Sequence, residues 1–300
     1  MKTNSSSLRL GFTILETLIV ISVLGFLLAI TASAVQQTRS VARRIQCSNN
    51  LRQIVLAAHN YESVYGVFPT EFYPFRAMAP FLDSETNLES RVGLPVYLCP
   101  SDSLATLSEG VTSYLLNEGF AYQRNGKNGI RLPPIHDPVL RWINLRVRDV
   151  TDGLSNTAYL SERLISPFAP TQEMADAEPS RYLWYIQTPF VGPSQFSLFQ
   201  SQCENNRTSV FPLNYNSAPA LSSWLYGYNH SMPPNSVGCY NFSIPTGGGV
   251  SPLWDMGSIP ATSAHSHGVN IALADGAVRF MANSVDLKVW QGISTRAGED

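Results

Sequence analysis

Hydrophobic and polar positions divide the chain into three zones. From Thr17 to Thr38 no residue carries a charge. Leu18 to Ile30 is apolar on every side, the pattern of a helix embedded in apolar surroundings rather than laid on a core. At a rise of about 1.5 Å per residue, the 22 uncharged residues form a helix of roughly 33 Å, long enough to cross a bilayer core. The period then changes. Val41, Ile45, Ser48, Leu51, Val55, Ala58 and Tyr61 or Glu62 recur at spacings of three and four, which predicts one weakly apolar stripe on a continuing helix. Gly66 and Phe68-Pro69 predict its end, because Gly suits a left-handed cap and Pro cannot extend a helix. Half of this helix, from Phe12 to about Tyr65, is expected to cross the membrane and half to pack on a domain.

The third zone is built of short apolar runs punctuated by Pro, Gly, Asn and Ser. Val111–Asn117, Asn156–Glu162, Arg181–Gln187, Val269–Ala274 and Ala277–Met281 read as strands. Asp275-Gly276 between the last two predicts a tight primed hairpin turn with positive φ at both central residues, the hairpin occupying 269–281. Residues from about 190 to 260, with Gly247-Gly248-Gly249, read as long ordered loops with short strands that elaborate the sheet. The expected fold class is α+β, a long N-terminal helical spine on a mostly antiparallel β-sheet domain. The expected divisions are 1–11, 12–38, 39–66 and 67–300.

Composition narrows the function classes. A hydrophobic share of 44% over 300 residues excludes a disordered chain. Charged residues are 14%, against about 25% in an average soluble domain. The net charge of −2 lacks the basic excess of a nucleic-acid binder. After residue 66 there are 14 basic and 20 acidic residues, so the bulk is mildly acidic. These features describe a membrane-anchored globular protein, not a cytosolic enzyme.

Three readings compete for the apolar segment: a simple anchor, a secretory signal peptide, and a processed leader. Lys2, Arg9 and the small residues Ala32-Ser33-Ala34 suit a signal peptide. Glu16, however, interrupts the start of the apolar run, where such a peptide needs no charge. Arg9-Leu10-Gly11-Phe12-Thr13-Ile14-Leu15-Glu16 resembles the prepilin cleavage and methylation signal. That resemblance implies a cut after Gly11, methylation of Phe12, and Glu16 as the fifth residue of the mature chain, with 1–11 as the leader. A lone carboxylate at the edge of a membrane helix is expensive, which favours a functional reason for it.

The similarity extends further. Ala42-Arg43-Arg44-Ile45-Gln46-Cys47-Ser48-Asn49-Asn50-Leu51, His59-Asn60-Tyr61, Tyr65-Gly66-Val67-Phe68-Pro69, Leu98-Cys99-Pro100-Ser101-Asp102, Thr151-Asp152-Gly153-Leu154-Ser155-Asn156-Thr157, and His265 through Asp275-Gly276 to Phe280 carry it. Together they resemble a large bacterial family of prepilin-like proteins with a domain of unknown function and a C-terminal H-x9-DG motif. Two departures are a single Arg before Gly11 and a lone Gly268 after His267, where paired glycines are common. The resemblance implies a pilin-like or type II secretion pseudopilin-like subunit. Its partners are a prepilin peptidase/methylase, other pilin-like subunits and membrane lipid, with no nucleic acid. The implied location is the inner membrane, in a single pass, with the domain on the periplasmic or extracytoplasmic side. The alternative is a membrane-tethered binding protein or enzyme that uses the leader only as an anchor. Charge runs against the implied topology, because Arg39, Arg43 and Arg44 follow the span while only Lys2 and Arg9 precede it.

Candidate chemistry is sparse, and no catalytic residue is assigned. No nucleotide-binding loop, zinc-protease helix or nucleophile elbow occurs. Four cysteines suit an exported domain. They allow three connectivities, of which Cys47–Cys99 with Cys203–Cys239 is preferred here, and buried free thiols are the competing reading. No pair has the CxxC spacing of a zinc or redox site, and no metal ligands are assigned. On an extended strand His265 and His267 share a face able to ligate a metal. Asp275, ten residues on, lies too far along such a strand for a local dyad with His265. The plainer expectation is that His265 packs the start of the strand, Asp275-Gly276 forms the turn, and Thr151-Asp152-Gly153 forms another. Some pseudopilins bind calcium in acidic loops, which makes Asp102, Asp149, Asp152 and Asp275 candidate oxygen donors, although no spaced ligand loop occurs. The aromatics Trp184, Tyr185, Trp224, Tyr226, Tyr228 and Trp254 fit either a sugar-binding platform or core packing. Arg39, Arg43 and Arg44 fit lipid phosphates or neighbouring subunits, or a solvated helix face.

Overall fold

The computed structural model describes residues 13–70, 74–82, 94–105, 111–120, 129–131, 145–167, 170–187, 196–210, 227–241 and 257–298. The processing positions Gly11 and Phe12, the aromatics Trp224, Tyr226 and Trp254, and Gly247–Gly249 lie outside them. The helices of the described residues are α1 (Ile14–Tyr65), α2 (Pro74–Met78), α3 (Gln172–Ala177), α4 (Phe196–Asn205) and α5 (Leu287–Gly292). The strands are β1 (Tyr114–Asn117), β2 (Ala158–Glu162), β3 (Leu183–Ile186), β4 (Gly227–Tyr228), β5 (Gly238–Asn241), β6 (Gly257–Ser258), β7 (Gly268–Leu273) and β8 (Val278–Ala282). The fold is α+β. Contacts divide the chain inside α1, into Met1–Ala42 and Arg43–Asp300.

In the first unit every described residue of α1 is exposed, including Leu18, Phe26, Leu28 and Ile30. Length and composition allow this segment to cross a membrane. Its start is closed by a reciprocal cap that the sequence reading overlooked. Thr13 Oγ1 accepts from Glu16 N at 3.3 Å, and Glu16 Oε2 accepts from Thr13 N at 2.8 Å and from Thr13 Oγ1 at 2.9 Å. Thr13-Ile14-Leu15-Glu16 is thus a capping box, which gives Glu16 a structural duty at the helix start.

The second unit contains a five-stranded sheet, ordered β4-β1-β2-β7-β8, and a three-stranded sheet, β3-β5-β6. Pairing is antiparallel except for β1 with β4 and β3 with β5. Strands β1, β2 and β7 are buried along their whole length. They therefore lack the in–out alternation of a half-solvated sheet, and their polar members Asn117, Ser161, Glu162 and Asn270 are buried with hydrogen-bond partners. The main core joins them to Leu51, Ile54, Val55 and Ala58 of α1 and to Trp290 of α5.

The buried face of α1 is Cys47, Asn50, Leu51, Ile54, Val55, Ala57 and Ala58. The stripe expected from sequence is correct at Leu51, Val55 and Ala58 but not at Val41 and Ile45, which are exposed. Val41 precedes the second unit, which begins at Arg43; within that unit Cys47 and Asn50 take the contact face, each with a partner there. Asn50 Nδ2 donates to Leu98 O at 2.9 Å. Farther along, His59 Nε2 donates to Ala274 O at 2.7 Å and stands edge-on to Phe68. Helix α1 ends at Tyr65, with Gly66 at φ 70° and its N–H on Glu62 O at 2.7 Å.

The stretch between residues 190 and 260 holds more regular structure than expected. It supplies α4 and strands β4, β5 and β6. Residues Ala175, Tyr182, Trp184, Ile186, Phe199, Cys203 and Cys239 form a second core around a Cys203–Cys239 disulfide. The hairpin turn also differs from the primed form. Gly276 has φ 88°, whereas Asp275 is not left-handed. Leu273 O accepts from Gly276 N at 3.0 Å, and Leu273 N donates to Ala277 O at 2.8 Å. This is an ordinary turn followed by a glycine bulge, so only the Gly needs positive φ.

Candidate functional site

Four ligand-type side chains from distant parts of the second unit meet in its interior. Cys47 comes from α1, Cys99 from the Leu98–Asp102 segment, Glu162 from the end of β2, and His265 from the turn before β7. All four are buried, and their ligand atoms lie within 4.8 Å of one another. Cys47 and Cys99 are joined as a disulfide with a Cα–Cα distance of 5.0 Å. His265 Nε2 is 3.1 Å from Glu162 Oε1 and 3.8 Å from Cys99 Sγ. One ring nitrogen therefore faces a carboxylate and a disulfide sulfur together.

The surroundings hold each member in place. Asn270 of β7 donates twice to Glu162, from Nδ2 to Oε1 and from its backbone N to Oε2, both at 2.8 Å. Cys99 N donates to Ser113 Oγ at 3.0 Å, and Tyr114 OH to Cys47 O at 3.3 Å. Burial, reinforced by the negative charge of Glu162, raises the Tyr114 phenol well above its ordinary pKa, so it remains a neutral donor. His265 N donates to Ser263 Oγ at 3.1 Å, and that hydroxyl donates to Gly268 O at 2.7 Å, closing the turn.

This geometry corrects the expectation that His265 and His267 share a strand face. The strand starts at Gly268, and His267 is exposed at φ 70° within the turn. The tight turn points the two side chains apart in environment: one into the core, the other into solvent. Glu162 was not singled out from sequence. Its one visible signal was a carboxylate ending an otherwise neutral strand-like run.

The remaining sequence candidates sit elsewhere. Asp275 Oδ1 accepts from Ala277 N at 2.9 Å in the hairpin turn. Asp152 Oδ2 holds the C-terminal segment, accepting from Thr295 Oγ1 at 2.9 Å and Gly298 N at 2.6 Å, while Gly153 turns the chain at φ 93°. Asp149 caps a short turn through Arg146 N at 2.8 Å. Asp102 is buried, accepting from Arg181 Nη1 at 2.8 Å, Ile165 N at 2.7 Å and Leu104 N at 3.1 Å. Each of the four aspartates is occupied by protein donors, and none belongs to a cluster of ligand-type side chains among the described residues. Trp184 and Tyr228 are core residues, and Tyr185 is half-buried. The Arg44 guanidinium lies 3.7 Å from the centre of the Phe280 ring.

A second buried polar group also escaped sequence reading. His230 Nδ1 donates to Trp290 O at 2.6 Å, its Nε2 faces Tyr228 OH at 3.1 Å, and its ring stacks on Trp290 at 3.9 Å. Burial lowers its pKa to about 3, so the ring is neutral at ordinary pH.

The family described as "Protein of unknown function (DUF1559)" matches residues 36–79 and 72–288. The chain belongs to that family. The DUF1559 match takes in Cys47, Cys99, Glu162 and His265, and it starts after most of the apolar run. No curated protein and no solved structure matches the chain at a significant level.

Proposed function

We propose that this DUF1559 protein is a pilin-like, membrane-anchored structural subunit, processed after Gly11 and assembling through its N-terminal helix. The observation that carries the reading is the apolar part of α1, whose described side chains are exposed. Such a surface requires lipid or neighbouring helices. The carboxylate at its start supports a pilin-type helix over a plain anchor. Cleavage after Gly11 creates a cationic amine on Phe12, and methylation retains the charge. In a packed fibre, Glu16 of one subunit exchanges its local Thr13 cap for the Phe12 amine of the next, which sets the axial register. The partners of this function are a prepilin peptidase/methylase, other pilin-like subunits and lipid. The domain lies on the extracytoplasmic side, and the chain is not an enzyme.

The experiment is mass spectrometry of the mature N-terminus, followed by crosslinking in membranes. An N-methylated Phe12 with crosslinked ladders supports the proposal. A chain beginning at Val35 means a signal peptide and refutes it. Gly11→Asp is expected to block processing. Glu16→Ala is expected to leave processing and insertion intact while abolishing the ladders. The second reading, a membrane-tethered extracytoplasmic binding protein or enzyme, draws on the added three-stranded sheet with its own disulfide-linked core. A processed chain that is strictly monomeric in membranes favours it.

A further inference from the structure

We propose that Cys47, Cys99, Glu162 and His265 have two states: a disulfide beside a histidine–carboxylate pair when oxidised, and a four-ligand Zn²⁺ site when reduced. The proposal rests on the meeting of these side chains in one buried place, independently of any pilin role.

The geometry is close to what the ion requires. Zn²⁺ bonds of about 2.0–2.3 Å in a tetrahedron set ligand atoms roughly 3.3–3.8 Å apart. Cys99 Sγ and His265 Nε2 are already 3.8 Å apart, and His265 Nε2 and Glu162 Oε1 3.1 Å. All four ligand atoms fall within 4.8 Å of one another. The main movement needed is separation of the two sulfurs once their bond is broken. That is a side-chain rotation, because the backbone positions are held by Asn50 to Leu98 O and by Cys99 N to Ser113 Oγ.

The donor set selects the metal. Two thiolates, an imidazole and a carboxylate suit zinc better than calcium or magnesium, which take oxygen ligands. The complex carries a net charge of −1, the same as a three-cysteine, one-histidine zinc site. Outer contacts of the usual kind are in place, since Asn270 orients the Glu162 carboxylate through two hydrogen bonds.

The chemistry balances as follows. A dithiol reductant gives two electrons and two protons to the Cys47–Cys99 bond and itself becomes a disulfide. Zn²⁺ then displaces the two thiol protons. The neutral His265 ring moves its single proton from Nε2 to Nδ1, a tautomer change with no net proton loss, which leaves the Nε2 lone pair free for the metal. A disulfide oxidant reverses these steps: it takes the two electrons from the Cys47 and Cys99 thiolates and two protons from solvent, becomes a dithiol, and leaves the Cys47–Cys99 bond re-formed and the ion released.

The test uses the full chain in detergent micelles. The protein is reduced anaerobically with a water-soluble phosphine, freed of reductant, and titrated with Co²⁺ followed by Zn²⁺. The expected result is one Co²⁺ per reduced chain, with thiolate-to-cobalt absorption and tetrahedral d–d bands that Zn²⁺ abolishes. Unreduced protein gives neither. Glu162→Gln and His265→Gln should each weaken Co²⁺ binding by about tenfold or more. A Cys203→Ser/Cys239→Ser double variant should bind as the wild type does. Absence of Co²⁺ binding by reduced wild-type protein overturns the proposal, whatever the folding of the variants. So does binding that is unchanged in both Gln variants, or that is lost in the Cys203/Cys239 variant.

Discussion

Asp102 offers the sharpest test of how the second unit is held together. Its carboxylate is buried and receives three donors: Arg181 Nη1, the backbone N–H of fully buried Ile165, and the N–H of Leu104. Arg181 is equally buried, and it also donates to Ile165 O at 2.7 Å and to the half-exposed Glu178. Asp102→Ala leaves a guanidinium in the interior with only a partly solvated counter-charge. Breaking one side of such a pair costs about 3–5 kcal/mol. It also strands the Ile165 N–H, worth about 1–3 kcal/mol alone. The two losses share one relaxation and do not add fully, so the expected destabilisation is about 4 kcal/mol. Asp102→Asn keeps an acceptor oxygen for Ile165 N but turns its amide nitrogen toward the Arg181 and Leu104 donors, so it spares only the Ile165 N–H and a smaller loss, about 3 kcal/mol, is expected. The assay is urea unfolding of the full chain in micelles, followed by the fluorescence of buried Trp184 and Trp290. A loss under about 1 kcal/mol for the Ala variant, or equal losses for both, refutes the reasoning.

Two further outcomes follow from particular groups. His230 is buried and neutral, with a pKa lowered to about 3 from an ordinary 6.5; the unfolded chain therefore binds a proton that the folded one refuses. Stability from this group is complete above pH 6.5 and is lost as pH falls toward 3, at about 1.4 kcal/mol per pH unit. Unfolding at pH 7 and pH 4.5 should show a drop from this source of about 2–3 kcal/mol, absent in His230→Gln; an equal slope in that variant contradicts the assignment. The glycines of the last hairpin should separate strain from crowding. At Gly276, with φ 88°, an added Cβ meets nothing within 4 Å, so Gly276→Ala costs only the left-handed penalty of about 1–2 kcal/mol. At Gly268 a Cβ collides with Met281 O and the Phe280 ring, so Gly268→Ala should cost about 3 kcal/mol or more. Thermal unfolding of both variants checks the order, and a reversed order is the failing result.

Much of the architecture could be read from residue pattern because its causes are local. The uncharged run of α1, the end of that helix at Gly66, the strands β1, β2, β3, β7 and β8, and the hairpin at Asp275-Gly276 each depend on the properties of neighbouring residues. The α+β class follows from those elements. Local pattern failed where a distant partner decided the outcome. The face of α1 is turned toward Cys47 and Asn50 because Cys99 and Leu98 O await them, and a period count prefers Val41 and Ile45. Helix α4 and strand β5 are stabilised by a shared core and a disulfide, so their short sequences carry little signal alone. The site is the extreme case. Cys47, Cys99, Glu162 and His265 are spread over more than two hundred residues, with no motif spacing among them. A metal-like cluster assembled from four separate elements exists only after the sheet has registered β2 against β7 and α1 has docked. Its chemistry is a property of tertiary contact, because ligand atoms must meet within a few ångströms and linear spacing cannot specify that across independent elements.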